Sequence, residues 1–220
     1  DKIVMWLKIA VSCLPAMLIG LPLNDWLDKH FYNPTVVALM LLLYGAGFLL
    51  VERYNHRRKP RVNSIAALRW SDALLIGVFQ LLAAIFPGTS RSGATIVGGL
   101  LLGLSRACVA EFTFYLAIPV MAGASLLKVV KFVLSGAAMT GTEIAVLVVG
   151  CVVAFVVSLA AIRFLMDYVK RHNFKFFGLY RIVLGLLVLG YAVYGVFVEK
   201  VFGIDRTRPT PVQSRADGVD

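Results

Sequence analysis

Long apolar runs broken by short polar ones set the frame of this 220-residue chain. Runs at roughly 3–23, 34–51, 109–131, 143–166 and 178–198 are each long enough to cross a hydrocarbon layer of ~30 Å as a helix. The first, "IVMWLKIAVSCLPAMLIGLPL", holds Pro15 and Pro22, read as a kink and a stop. The polar segment "NDWLDKHFYN" (24–33) reads as a short turn with interfacial aromatic residues. The pattern predicts an all-α polytopic membrane protein, with residues 1–202 as a single membrane domain. Beyond it, residues 203–220 are polar and proline-rich and predict a disordered tail.

The stretch 71–104 is different. It is apolar enough for one span, but it breaks in the middle at Pro87-Gly88. "SDALLIGVFQLLAAIF" before the break supplies ~22 Å of helix and "GATIVGGLLLG" after it ~16 Å, so neither half crosses alone. Two short helices around a broken loop predict a re-entrant hairpin, about 71–104. Irregular backbone at such depth is tolerated where it faces protein or a wet cavity. Charge supports the hairpin. The basic loops "ERYNHRRKPR" (52–61) and "RFLMDYVKRHNFK" (163–175) fall on one side, as cytoplasmic loops should, only if 71–104 returns to the side it left.

Composition sharpens the class. The chain is 60% hydrophobic and only 15% charged, well away from the balance of a soluble domain. Its net charge of +10 sits in those two loops and not on a face, and zinc-finger spacing and an aromatic-basic sheet pattern are both missing, so nucleic acid is excluded as a partner. Cys13, Cys108 and Cys151 stand apart with no CxxC spacing and read as small hydrophobes.

The candidate chemistry lies at the hairpin tip, "FPGTSRSGATI" (86–96). An arginine inside an apolar segment is costly without a partner or a wet cavity, which makes Arg91 a functional candidate. The second half-helix begins near Ser92-Gly93, and its first turn offers free N–H groups and a positive dipole end that suit a phosphate. Thr89, Ser90, Ser92 and Thr95 add hydroxyls, Gly88 and Gly93 allow close approach, and a guanidinium matches phosphate oxygens in a bidentate way. The bland alternative is that Arg91 pairs with a carboxylate while Ser90 merely caps the helix. Glu111, five residues beyond Arg106, can face Arg91 or make an interfacial ion pair.

Residues 77–124, with "PGTSRSGAT" at their centre, resemble the second conserved region of the undecaprenyl-diphosphate phosphatases, the bacitracin-resistance family of bacterial inner membranes. The likeness runs through roughly residues 3–198. It implies an inverted-repeat fold with two re-entrant hairpins among six spans. It also implies hydrolysis of undecaprenyl diphosphate to undecaprenyl phosphate and inorganic phosphate, which recycles the lipid carrier for peptidoglycan. A polyprenyl diphosphate, the bilayer and possible homodimer contacts are the implied partners, and a divalent cation (Mg or Ca) the implied cofactor. On matching positions Arg91 is the catalytic phosphate clamp, and Ser90 is the serine to test as nucleophile against water. Ser92, Gly93, Thr95, Thr89 and Gln80 are phosphate-binding, Gln80 standing where the other repeat carries a glutamate.

The chain departs from the family in one respect. The acidic motif and Ser-Ser-Thr-Gly-His loop of the other half-site are missing, and Glu52, Glu111, Glu143 and Glu199 are scattered. Five spans and one hairpin, with Asp1 as the first residue, lead to the expectation that a first span and hairpin lie upstream and carry the metal ligands, leaving none in this chain. The rival reading is a membrane protein that binds or transports a lipid phosphate without cleaving it.

Overall fold

The computed structural model describes residues 2–56, 58–136 and 139–202, so the expected disordered tail at 203–220 lies outside the described residues. Its first helix, α1 (Lys2–Pro15), ends where Pro15 has no N–H to return to the preceding turn, and the chain passes into a π-helical turn, Ala16–Gly20. α2 (Leu21–Phe31) follows, so residues 24–31 of the segment read as a polar turn are helical and only Tyr32 and Asn33 lie outside a helix. Asn33 caps α3 (Pro34–Asn55) by accepting the Val36 N–H at 2.9 Å, with Pro34 in the first turn.

After a 3₁₀ turn at Ile65–Ala67 come α4 (Trp70–Ile85) and α5 (Arg91–Leu101), of 16 and 11 residues, or about 24 Å and about 16 Å. α6 (Arg106–Leu134), α7 (Gly141–Arg171) and α8 (Lys175–Phe202) complete the fold. Among the described residues, five stretches are long and apolar enough to span a bilayer: Lys2–Gly20 and helices α3, α6, α7 and α8. None of the most apolar window of α7 is buried within the protein, which fits a helix solvated by lipid.

The ends of the α4–α5 pair are tied to each other. Arg61 and Val62 donate their backbone N–H groups to the Gly103 carbonyl at 2.8 and 3.2 Å, and Ser105 returns one to Val62 at 2.8 Å. Arg61 also reaches Asp72 at 2.7 Å, and Asn55 donates to the Leu100 carbonyl. The chain therefore enters and leaves the hairpin at one level. Asp72 sits in the first turn of α4 and accepts the Arg69 N–H at 3.1 Å, so Arg69 holds the cap position expected of Ser71 or Asp72.

Both basic segments meet at this same end. Glu52, 1% exposed on α3, binds Arg106 of α6 at 2.9 Å and accepts the Phe174 N–H at 2.9 Å. One carboxylate thus joins α3, α6 and the entry to α8, so the two basic segments lie at the same end of the protein. Glu111 is exposed and makes no ion pair among the described residues.

Candidate active site

The hairpin tip is shaped by its glycines and by a cap. Gly88 has φ +87°, and a Cβ there would stand 2.7 Å from the Val37 carbonyl oxygen, so the turn after Pro87 needs glycine twice over. Ser90 caps α5, accepting the Gly93 N–H at 3.2 Å, and its hydroxyl also lies 3.0 Å from that of Ser92. That half of the bland alternative holds. The other half does not, because Arg91 is exposed on the first turn of α5 and has no carboxylate partner among the described residues.

Beside this turn is a cavity of about 120 Å³. Ser90, Ser92 and Gly93 line it from the tip, Thr113 from α6, and Phe48 and Phe174 form apolar wall. The cation that reaches into it comes from α8. Arg181 lays its guanidinium on the backbone of Gly93, where an added Cβ would meet Nη2 at 3.2 Å. Its Nη1 is buried without a hydrogen-bond partner, and no carboxylate pairs with it among the described residues. A charged group so placed costs several kcal/mol unless something answers it.

Arg181 arrives there because α3 and α8 pack closely. Cβ atoms added at Gly45 and Gly178 would each stand 2.9 Å from the other residue's carbonyl oxygen, and one at Gly185 would meet the Ala38 carbonyl at 3.1 Å. Small residues of this kind let helix backbones approach. Gly178, Arg181 and Gly185 share one face of α8 by their spacing, so the packing that presses α8 on α3 also aims Arg181 at the tip.

The other expected ligands divide. Thr95, 1% exposed, turns its hydroxyl back to the Arg91 and Ser92 carbonyls and to Thr113 at 3.1 Å, so it braces the turn and lies outside the cavity lining. Thr89 and Gln80, both 3% exposed, keep Oγ1 and Nε2 buried without partners, and neither lines the cavity. Arg181 and Thr113 escape the motif-based reading. Arg181 did carry a signal, a lone cation inside "FFGLYRIVLG", to which the rule applied to Arg91 applies equally.

Hydroxyls, a helix N-terminus and the uncompensated Arg181 guanidinium make an anion site, while Arg91 stands exposed on the same turn and does not line the cavity. A divalent cation finds little here, since hard cations take oxygen ligands rich in carboxylate and the described residues put none at the cavity. Among the described residues, no three His, Cys, Asp or Glu side chains cluster in a way that could hold a metal.

Apolar spans around a broken hairpin with such a tip define a multi-pass membrane protein built to receive an anionic group. Comparison with known proteins gives the family. Residues 1–187 match the family described as "Bacitracin resistance protein BacA", and the chain belongs to it. It is 56% identical over 191 residues to a protein of Desulfitobacterium hafniense named undecaprenyl-diphosphatase, covering 87% of this chain and 68% of that one. It is 54% identical to undecaprenyl-diphosphatase 1 of Clostridium acetobutylicum, covering 87% and 69%. For the undecaprenyl-diphosphatase of Streptococcus mutans the identity is 55%, covering 87% and 68%.

Proposed function

We propose that this protein hydrolyses undecaprenyl diphosphate to undecaprenyl phosphate and inorganic phosphate, at the tip of its re-entrant hairpin. One observation carries the assignment of the site: Arg181, from a helix far off in sequence, comes to the N-terminal turn of α5 that bears Arg91, and neither meets a carboxylate among the described residues. The family and its relatives supply the reaction.

In this reading the terminal phosphate rests against the Ser90–Gly93 turn, with the prenyl chain among the lipid-facing helices. Water attacks the terminal phosphorus. The bond to the bridging oxygen breaks, and that oxygen leaves on the lipid monophosphate. Charge spreads over the equatorial oxygens during transfer, so positioning and electrostatic stabilisation supply most of the catalysis. Arg91 clamps from the mouth and Arg181 from the α8 wall. Ser90 has its oxygen engaged by the Gly93 N–H, which leaves its hydroxyl proton for a phosphate oxygen or for Ser92. A covalent route through Ser90 would need that cap to open first.

Magnesium or calcium belongs to the proposal through the resemblance. The described residues do not fit such an ion, and no step above is assigned to it. We place the protein in the bacterial inner membrane, where the lipid substrate resides, and we include self-association into a homodimer.

Phosphate release from a long-chain polyprenyl diphosphate, by the purified chain in detergent with Mg²⁺, tests the reading. Turnover that disappears in Arg91→Ala supports it. Binding of the lipid with no cleavage, both by this chain and by one extended with the upstream segment of a relative, would overturn it in favour of a carrier or binding protein.

A further inference from the structure

A second cavity lies at the other end of α5, about 16 Å along the helix axis from the phosphate turn. It measures about 530 Å³ and shares no lining residue with the tip cavity. The end of α3, the loop after it, the α5–α6 turn and the end of α7 enclose it. Its wall is firm, because the hydrogen bonds joining residues 61–62 to Gly103 and Ser105 run through it.

Five cations line this space: Arg58, Lys59, Arg61, Arg106 and Lys170. Asp72 neutralises Arg61 and Glu52 neutralises Arg106. Arg58, Lys59 and Lys170 are exposed and enter no ion pair among the described residues, and the Arg58 guanidinium lies 3.9 Å over the Tyr54 ring. The remainder is a pocket with three uncompensated positive charges. It stands where three spans reach their ends, which is the depth of lipid head groups. Leu101, 48% exposed, adds an apolar wall on which an acyl chain can lie.

We propose that this cavity binds the phosphate head group of an anionic membrane phospholipid. Basic pockets between helix ends on the side of the positive loops suit such head groups, with each cation contributing roughly 1 kcal/mol near the surface. A soluble phosphate would use the same cations but would gain nothing from Leu101 or from the position at the helix ends.

The test is electron spin resonance of spin-labelled phosphatidylglycerol or phosphatidylcholine in phosphatidylcholine vesicles holding the full chain. The expected result is an immobilised component favouring phosphatidylglycerol by about fivefold or more. In Arg58→Gln/Lys59→Gln/Lys170→Gln that preference should fall close to one. Arg53→Gln/Arg171→Gln/Lys175→Gln removes three exposed cations near the same end but outside the cavity, and should retain it. Absence of preference in the parent protein, or equal loss in both triple variants, would overturn the proposal. So would displacement by inorganic phosphate that chloride at equal ionic strength does not reproduce, which would make free phosphate the ligand. Circular dichroism confirms that each variant is folded.

Discussion

Arg61 and Arg106, at the base of the hairpin, end on the buried carboxylates of Asp72 and Glu52, whereas Arg91 and Arg181 at the tip meet none among the described residues. Two arginines thus stand at each end of one small element, three of the four contributed by neighbouring segments. At the base their charge is consumed in holding helices together, and at the tip it is left for something that arrives from outside. A buried carboxylate that takes up a cation's charge is a structural joint. A cation left without one, exposed like Arg91 or half-buried like Arg181, is a binding group.

The largest effect should come from removing the tip charge at the mouth. Arg91→Ala is expected to lower kcat/KM for polyprenyl diphosphate by about a thousandfold or more while leaving the thermal transition in place. The opposite signature belongs to the base. Glu52→Gln leaves Arg106 without its counter-charge, and should cost about 1–3 kcal/mol of stability, read as a lower denaturation midpoint in detergent. If Glu52→Gln instead spared stability and abolished turnover, the division between base and tip would be wrong.

How much of this was legible in the sequence follows the range of the contacts. Pro87-Gly88 and the lengths of the half-helices sufficed for the hairpin, because chain direction and helix rise are local properties. The S-R-S-G turn was legible for the same reason, since Ser90 and Gly93 are three residues apart. Arg181 was not placed, although it lies in a span the pattern marks out. Its approach to the tip depends on Gly45 and Gly178 letting α3 and α8 touch, and residue spacing within one helix does not say which neighbour it will meet. The Glu52–Arg106 pair, 54 residues apart, was hidden likewise. Residues 24–31 were misread because polar residues signal a turn in water, while at a membrane interface a helix can carry them.

Finer substitutions sharpen the comparison. Gly93→Ala would put a methyl 3.2 Å from Nη2 of Arg181 and 3.4 Å from Cβ of Ser90, so the guanidinium must shift by a few tenths of an ångström. Misplacing a positioned group typically costs one to two orders of magnitude, and about tenfold in kcat/KM is expected here. The smallest effect is expected from Thr95→Val, which removes the Thr113 hydrogen bond beneath the turn and should cost about 1 kcal/mol of stability with a severalfold loss of activity.

The most direct measurement is calorimetric binding of a non-hydrolysable polyprenyl methylenediphosphonate to the parent protein, Arg181→Gln and Arg61→Gln. A lost charge-assisted contact should weaken binding by Arg181→Gln about ten- to a hundredfold, with Arg61→Gln binding like the parent at temperatures where it is folded. Parent-like binding by Arg181→Gln, with the loss falling on Arg61→Gln instead, would contradict the account.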